Sequence, residues 1–248
     1  MTFLSFLVLV VSGIYLALFY RPVPAEAHLS VATIVEDAPW GATLRGIHSW
    51  TASIFVAGLA LHVIRVFLYA SYKRPREINW VVGVLLLAVG GIVLYTGTIL
   101  KWDQEGFEAL QHTVEATAPL GALGGWIESF LTGDDVLSRL STVHFVLGPG
   151  LIVTLLILHF LLIRFHGASP LPWGSREQSD ARHQQEGRVP YTTHLARLGA
   201  WLVALAGLVT LLAGLFPRAL GPVAVEGIEV TKPPGTSCGC TPWRTPSD

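Results

Sequence analysis

Long apolar stretches separated by polar segments dominate the chain. Five of them are long enough for a bilayer core, which takes about 20 consecutive apolar residues of helix. We label these predicted spans A to E, and they cover approximately residues 2–20, 45–70, 79–100, 141–165 and 194–216. The pattern predicts an all-α transmembrane protein. It divides the chain into a four-helix core over 1–170, a linker over 171–190, a fifth helix over 191–217 and a tail over 218–248.

The composition supports this interpretation and narrows the function classes. Hydrophobic residues make up 52% of the chain and charged residues only 13%, whereas a soluble domain carries about 25% charged residues. The net charge of −1 gives no reason to expect a nucleic-acid partner. The first span has no basic segment before it and no A-x-A cleavage motif before Arg21, so we expect a retained helix rather than a signal peptide.

Charge differs between the loops and predicts the orientation, because basic residues concentrate in cytoplasmic loops. The B–C turn and the D–E region are basic, with Lys73, Arg74, Arg76, Arg164, Arg176, Arg182, Arg188 and Arg197. The C–D loop is acidic, with Asp103, Glu105, Glu108, Glu115, Glu128, Asp134 and Asp135. We therefore expect the N-terminus on the cytoplasmic (n) side, and the A–B loop, the C–D loop and the tail on the opposite (p) side. The expected location is a bacterial cytoplasmic membrane or an equivalent energy-transducing membrane.

Four histidines lie inside two of the apolar spans. His48 and His62 are fourteen residues apart in span B, which is close to four helical turns, or about 21 Å along the helix axis. His144 and His159 are fifteen apart in span D, with Pro149 between them, and a proline kink can accommodate the extra residue. Spans B and D run in the same direction. Pairing by depth therefore puts His48 with His144 at the p-side and His62 with His159 at the n-side.

Facing imidazoles inside a helix bundle are typical axial ligands of a haem iron. For a single intramembrane histidine, the alternative is a hydrogen-bonded core residue or a member of a proton relay. Four histidines at matching depths favour haem, and we predict two non-covalent haem b groups with two histidine ligands each. The other histidines are interpreted as surface residues, with His166 and His194 as candidate n-side proton carriers; they are His28, His112, His166, His183 and His194.

Glycines on the neighbouring spans fit the same interpretation. Gly83 and Gly97 in span C are again fourteen residues apart, and Gly13 lies in span A. A helix that passes close to a flat haem needs positions without side chains at the depth of the haem. The alternative is close helix–helix packing through small residues. The shared spacing favours haem clearance by Gly83 and Gly97, and Gly13 is a candidate for the same role at the p-side haem.

Arginines flank the four histidines at both predicted membrane surfaces. Arg45 and Arg139 precede the p-side histidines, and Arg65 and Arg164 follow the n-side ones. Arginine is a permanent cation that binds carboxylates through two hydrogen bonds, so these four are candidate partners of the haem propionates. The alternative for each is a long side chain that reaches from a helix end into water.

Several segments resemble cytochrome b of quinol:cytochrome c and plastoquinol:plastocyanin oxidoreductases. Helix B of that family, with the following turn and the start of helix C, is similar to "RGIHSWTASIFVAGLALHVIRVFLYASYKRPREINWVVGV". The end of its helix C resembles "GTILKWDQEGFEAL", and the ends of its helix D resemble "LSRLSTVHFVLGPG" and "LHFLLIRFHG". The resemblance covers about residues 5–170 and extends over 190–235. The fifteen-residue histidine spacing is closer to the short chloroplast-type protein than to the mitochondrial type.

This resemblance implies a function. In the family, histidines at the four matching positions ligate two b haems, of low potential near the p-side and high potential near the n-side. Quinol gives one electron to a Rieske iron–sulfur protein and the other to the p-side haem, from which it passes through the n-side haem to a quinone. Protons are released outside and taken up inside. The chain is thus expected to be a subunit of a proton-translocating quinol:cytochrome c oxidoreductase, or of one with a plastocyanin-like acceptor.

The resemblance also implies partners and a quinol pocket. The expected partners are the Rieske protein, a c-type cytochrome, a separate chain with the remaining C-terminal helices of cytochrome b, and a second copy of the complex. Trp102, Asp103 and Phe145 are candidate walls of the p-side quinol pocket, from their position only.

Departures from the family pattern keep other functions open. The family has a Pro-Glu-Trp-Tyr motif just after the fifth helix, where this chain reads "KPPGTS", with Pro234 at the glutamate position. Lys101 replaces the proline of the family's "LPWDQ". Cys238 and Cys240 allow a strained disulfide, a weak metal site or an unstructured tail. The second hypothesis is therefore a dihaem, quinone-reactive membrane anchor that serves a peripheral oxidoreductase or multihaem cytochrome. A haem-free scaffold is the third, which the four histidines disfavour.

Overall fold

The structure, a computed structural model, describes residues 2–167 and 191–227 of the 248-residue chain. Within these ranges it has nine α-helices, a 3₁₀ turn over Ala118–Leu120 and a π-helical turn over Val143–Leu147. The α-helices are α1 (Thr2–Ala17), α2 (Pro24–Glu36), α3 (Gly41–Leu68), α4 (Glu77–Ile99), α5 (Gln104–Thr117), α6 (Ala122–Leu131), α7 (Val136–Thr142), α8 (Gly148–His166) and α9 (Tyr191–Leu215).

Four helical stretches in the described ranges are long and apolar enough to cross a membrane. They match predicted spans B to E and cover Gly41–Leu68, Glu77–Ile99, Val136–His166 and Leu195–Leu215. In predicted span A, α1 is apolar but has only 16 residues. Turn hydrogen bonds continue from it to Tyr20, whose N–H donates to Leu16 O at 3.2 Å. The prediction of an all-α, multi-pass membrane protein is confirmed.

The long helices pack as two pairs, α1 with α3 and α4 with α8, and α9 packs along α3 and α1. Leu4 of α1 is buried against Leu205 and Val209 of α9. Gly46 of α3 lies so close to α9 that a Cβ there would come within 2.8 Å of the Ala213 Cβ. Helix α9 therefore belongs to the same packed body as α1 and α3.

The segments predicted as the A–B and C–D loops are largely helical. They form α2, α5, α6 and α7, which we call the cap. A buried cluster joins the cap to the end of α4 and consists of Ala27, Ile99, Leu100, Leu110, Leu131, Val136, Leu137 and Leu140. Short amphipathic helices bury one side only and lack the long apolar run that marks a transmembrane span. Local signals are nevertheless present, since Pro24 starts α2 and Asp103 caps α5 by accepting a hydrogen bond from Gly106 N at 3.0 Å.

A wide turn joins α7 to α8 and accounts for the extra residue between His144 and His159. In this π-helical turn the Gly148 N–H donates to Val143 O, five residues earlier instead of four. The next residue, Pro149, has no N–H to donate. The sequence predicts compensation by a kink at Pro149, whereas in the structure the extra residue is accommodated in the turn just before it.

The chain after α9 returns to the cap and is bound there mainly through its backbone. Asp103 Oδ2 accepts a hydrogen bond from Gly221 N at 3.2 Å, and the Gln104 N–H donates to Pro222 O at 3.0 Å. The Gln104 side-chain oxygen accepts from Val225 N at 2.7 Å. Asp103 and Gln104 are only 2% and 4% exposed, so water does not compete for these bonds. We call Asp103 and Gln104 the polar clamp.

We expect Gln104→Ala to release the chain after α9. The substitution removes two side-chain bonds to this chain, from Val225 N to Gln104 Oε1 at 2.7 Å and from Gln104 Nε2 to Val225 O at 3.3 Å. Each hydrogen bond contributes about 0.5–1.5 kcal/mol net, so proteolysis between residues 217 and 227 should become faster on the order of tenfold. Mass spectrometry of the digested, detergent-purified protein measures this rate. The matched control is Gln111→Ala, at an exposed position of the same helix, and equal rates in the two variants would contradict the clamp.

Candidate cofactor site

Two histidine pairs face each other across the helix bundle. The ring centroids of His48 and His144 are 6.4 Å apart with an angle of 62° between the rings. Those of His62 and His159 are also 6.4 Å apart, with an angle of 73°. We call His48 and His144 pair I, and His62 and His159 pair II. The structure thus brings together the histidines that the sequence analysis pairs by depth.

The ring separation fits a metal ion held between two imidazoles. A bound first-row metal such as zinc lies about 2.0–2.1 Å from the ligating imidazole nitrogen, which is itself about 1.2 Å from the ring centre, so two rings on opposite sides of one ion have centres about 6.4–6.6 Å apart. No three His, Cys, Asp or Glu residues converge on one point within 2–167 and 191–227. Each pair can therefore supply two axial ligands, as haem iron requires, but not a complete set of protein ligands.

A hydrogen bond to a backbone carbonyl fixes which nitrogen of His144 is available to a ligand. The His144 Nδ1–H donates to the Val93 carbonyl at 2.8 Å, and Thr96 Oγ1 lies 3.2 Å from the same nitrogen. His48 Nδ1 lies 3.0 Å from Ser12 Oγ. Since a carbonyl can only accept, His144 carries its proton on Nδ1 and keeps the Nε2 lone pair for a ligand.

The three predicted clearance glycines all lie beside these rings. A Cβ on Gly97 would come within 2.7 Å of His144 Cε1, and one on Gly13 within 3.2 Å of His48 Cε1. At Gly83 the corresponding contact would be with His159 Cε1 at 3.6 Å, an ordinary van der Waals distance. Glycine at positions 13 and 97 thus makes room for the imidazoles themselves.

Pair II is held less closely than pair I. His62 is exposed on the surface of the described chain. His159 Nδ1 is buried and makes no hydrogen bond of normal geometry, although the Asn79 backbone lies within reach of the ring. No hydroxyl takes the place that Ser12 and Thr96 occupy beside pair I, as far as the described residues show.

Of the two arginines predicted near pair I, Arg139 is better placed to bind an added anion. Its Nε is buried without a hydrogen-bond partner among the described residues, while its Nη2 donates to Thr132 O. Arg45 Nη1 donates to Arg218 O at 2.6 Å and so is partly engaged in holding the chain after α9.

The two arginines predicted near pair II lie at helix ends and are exposed. Arg65 stands over the Tyr69 ring, with Cζ 5.3 Å from the ring centroid, and Arg164 lies in the last turn of α8. Both positions suit contact with a negatively charged group at a membrane surface, and both also suit a side chain reaching into water.

The three candidate pocket residues have different surroundings. Phe145 is 37% exposed and contacts the rings of His144, at 5.7 Å, and Tyr20, at 5.8 Å. Trp102 and Tyr20 both pack against the buried cluster of the cap. Asp103, by contrast, is committed to the polar clamp and to an ion pair with Lys101 Nζ at 3.2 Å. All three residues remain candidate pocket walls, and Asp103 in addition holds the chain after α9 through the polar clamp.

Three residues near these sites were missed by the sequence analysis. The Tyr20 hydroxyl is buried next to Phe145 without a hydrogen-bond partner in the described chain. Ser12 and Thr96 contact pair I directly. A signal for the last two was present, because each immediately precedes a clearance glycine, in Ser12-Gly13 and in Thr96-Gly97.

The histidines outside the two pairs have local contacts where they are described. His28 Nε2 lies 2.9 Å from Gly221 O, His112 Nδ1 lies 3.6 Å from Glu115 Oε2, and His166 Nδ1 donates to Leu162 O at 2.9 Å. His183, Pro234, Cys238, Cys240 and the side chain of His194 lie outside the described residues.

The chain matches known proteins over most of its length. A protein-family model described as Cytochrome b(N-terminal)/b6/petB matches residues 53–223. Cytochrome b6 of Chlamydomonas reinhardtii is 38% identical over 173 residues, which is 68% of this chain and 80% of the relative. Cytochrome b6 of Heliobacterium mobile is 34% identical over 174 residues, or 68% of this chain and 82% of the relative.

A solved structure supports the fold. A chain described as hyperthermophilic respiratory Complex III superimposes with a TM-score of 0.72 at 22% identity, and the match covers 92% of this chain and 62% of that one. The family model covers well over half of the present chain, and the two relatives exceed 30% identity along most of their own length. This chain therefore belongs to the family of N-terminal cytochrome b and cytochrome b6 proteins.

Proposed function

We propose that this chain is the cytochrome b subunit of a bc-type membrane quinol oxidoreductase, in which it carries electrons across the bilayer between quinol and quinone sites. Cytochrome b proteins carry haem b. The observation that most supports two such groups here is the equal 6.4 Å separation of the rings in pair I and pair II. That separation leaves room for one iron in each pair.

In this function the four histidines hold the two irons through Nε2. The haem supplies one-electron transfer when it is bound. The protein contributes ligation, distance and a dry, apolar path through the helices. At pair I, the Val93 carbonyl and the Thr96 hydroxyl hold the His144 ring in one tautomer, which directs its Nε2 lone pair toward His48.

The arginines and glycines complete the proposed haem sites. Arg139 and Arg45 are the proposed propionate partners at pair I, and Arg65 and Arg164 those at pair II. The buried, unpartnered Nε of Arg139 supports this role most directly, because a buried donor without an acceptor is costly unless a ligand supplies one. Gly13, Gly97 and Gly83 keep side chains away from the ligand rings.

Quinol is proposed to bind under the cap, close to pair I. Trp102 and Phe145 are the proposed apolar walls, and the nearby Tyr20 hydroxyl has no hydrogen-bond partner in the part of the chain that is described. With the N-terminus on the n-side, as the charged loops predict, quinol oxidation under the cap would release protons on the p-side. The proposed partners are a Rieske iron–sulfur protein, a c-type cytochrome, a chain with further cytochrome b helices and a second copy of the complex.

A second function is favoured by one feature of the sequence. The position expected for the quinol-site glutamate is Pro234, which cannot accept a proton. The same two haems would also serve a quinone-reactive membrane anchor that exchanges electrons with a peripheral oxidoreductase or a multihaem cytochrome. Purification of the intact complex through a tag on this chain separates the two: a Rieske protein in the complex supports the bc-type function, and a molybdoenzyme or multihaem cytochrome supports the anchor.

A redox titration of the purified full-length chain tests the haem content that both functions require. We expect two haems per chain and two one-electron b-type components of equal amplitude in the visible difference spectrum. A single component, or a haem content of one or zero per chain, would contradict the proposal.

A further inference from the structure

The surroundings of pair I repeat on two helices that have no role in ligation. Residues 9–13 of α1 read "LVVSG" and residues 93–97 of α4 read "VLYTG", with a hydroxyl residue at the fourth place and glycine at the fifth. Ser12 and Thr96 are 3% and 2% exposed. Each hydroxyl reaches back to its own helix: Ser12 Oγ donates to Val8 O at 2.7 Å, and Thr96 Oγ1 lies 2.9 Å from Val93 O and 3.0 Å from Ile92 O.

Because each hydroxyl proton is directed to a backbone carbonyl, its oxygen is free to accept a hydrogen bond from the neighbouring imidazole. His48 Nδ1 lies 3.0 Å from Ser12 Oγ, and His144 Nδ1 lies 3.2 Å from Thr96 Oγ1. The Nδ1–H of His144 also donates to the backbone carbonyl at the first place of the repeat, Val93 O, at 2.8 Å. Both rings of pair I thus donate from Nδ1 to a hydroxyl oxygen.

The same five-residue repeat occurs at pair II without its hydroxyl. Residues 79–83 of α4 read "NWVVG", fourteen residues before the pair I repeat, and Gly83 faces His159 as Gly97 faces His144. The fourth place is Val82, which is 5% exposed. Valine has nearly the shape of threonine but offers no acceptor, so the Nδ1–H of His159 finds no hydroxyl acceptor at this position.

We propose that Ser12 and Thr96 are positioning residues that lower the reduction potential of the iron at pair I, and that Val82 keeps the potential at pair II higher by withholding the corresponding acceptor. A hydrogen bond from Nδ1–H makes the opposite nitrogen a stronger electron donor, which stabilises the more positively charged, oxidised iron. This inference rests on the proposed haem ligation. It adds which side chains set the difference in reduction potential between pair I and pair II. An electron shared by the two irons is thereby biased from pair I toward pair II.

Exchanging the two side chains tests the assignment, because valine and threonine are nearly isosteric. In the purified full-length chain, Thr96→Val should raise the potential of the lower component, and Val82→Thr should lower that of the higher component. Each shift is expected to be on the order of a tenfold change in the equilibrium constant, or about 59 mV for a one-electron couple. Thr96→Ser should restore the original potential.

Thr51→Val is the matched control. Thr51 is a fully buried threonine of α3 whose hydroxyl has no hydrogen-bond partner in the described chain, so its loss should leave both potentials unchanged. If both components remain in Thr96→Val and Val82→Thr, potentials that do not shift, or that shift in the opposite direction, would overturn the inference. If Thr96→Val loses haem, Val82→Thr and Ser12→Ala decide the question by the same criterion. Absence of two components in the unmodified chain would instead contradict the proposed function.

Discussion

Replacement of His62 by alanine should remove one of two b-type spectral components and leave the other unchanged. Alanine cannot ligate, so the proposed haem iron at pair II would lose one of its two protein ligands, while pair I lies about 21 Å away along α3 and shares no histidine with it. We expect the haem content of the purified chain to fall from two to one. The remaining component should keep its midpoint potential and its full amplitude in a redox titration.

His166→Ala is the matched control for this experiment. His166 lies near the same end of the bundle, in the last turn of α8, and its Nδ1 donates to Leu162 O within its own helix. Both components should survive in this variant. Loss of both components in His62→Ala, in a protein that still extracts and purifies normally, would mean that the two sites do not load independently and would contradict the assignment of separate pairs.

The second large effect is expected at Gly97. An alanine Cβ would come within 2.7 Å of His144 Cε1, closer than side-chain carbons approach one another in proteins, so the ring must move. The ring is held by Val93 O and Thr96, and moving it breaks bonds that direct its Nε2. Overpacking of this kind costs about 1–3 kcal/mol, and we expect selective loss of the pair I component from the spectrum of Gly97→Ala.

Two glycines of the same helix provide graded controls. Gly83→Ala would place its Cβ at an ordinary 3.6 Å from His159 Cε1, and Gly91→Ala would meet no atom within 4 Å. Both variants should retain two components. If Gly83→Ala loses the pair II component as readily as Gly97→Ala loses that of pair I, the glycines act by making room for the haem plane, as the sequence analysis inferred, and not for the imidazole.

The transmembrane helices and the depth of the four histidines could be read from the sequence because both depend on regular repeats. An apolar run of bilayer length predicts a span, and fourteen residues return a helix to nearly the same side. The helical stretches Gly41–Leu68, Glu77–Ile99, Val136–His166 and Leu195–Leu215 therefore begin and end within about five residues of the predicted spans. The spacing of the histidines also predicted the pairing of His48 with His144 and of His62 with His159. The two members of each pair face each other in the structure.

The cap and the polar clamp could not be predicted in the same way. Helices α2 and α5 bury one side against residues distant in sequence, and their weak apolar pattern resembles that of a loop. Asp103 and Gln104 bind the backbone of residues more than a hundred positions later. The residue types of such backbone partners carry no signal, so the bonds of Asp103 and Gln104 to this chain could not be predicted from the sequence. Ser12 and Thr96 were overlooked because a hydroxyl in a membrane helix most often bonds its own backbone, which these two also do.

Because of the wide turn over Val143–Leu147, the number of residues between two positions of this helix does not give their distance along the helix axis. The fifteen residues from His144 to His159 and the fourteen from His48 to His62 extend over nearly the same length of the bundle. The wide turn accommodates one additional residue without the full rise of a helical residue. A chain with fourteen residues in both helices could place its ligands at the same two levels simply by lacking the bulge. The separation of the two histidine pairs along the bundle is therefore insensitive to a one-residue insertion at this point, and chains whose counts differ there can still hold these side chains equally far apart.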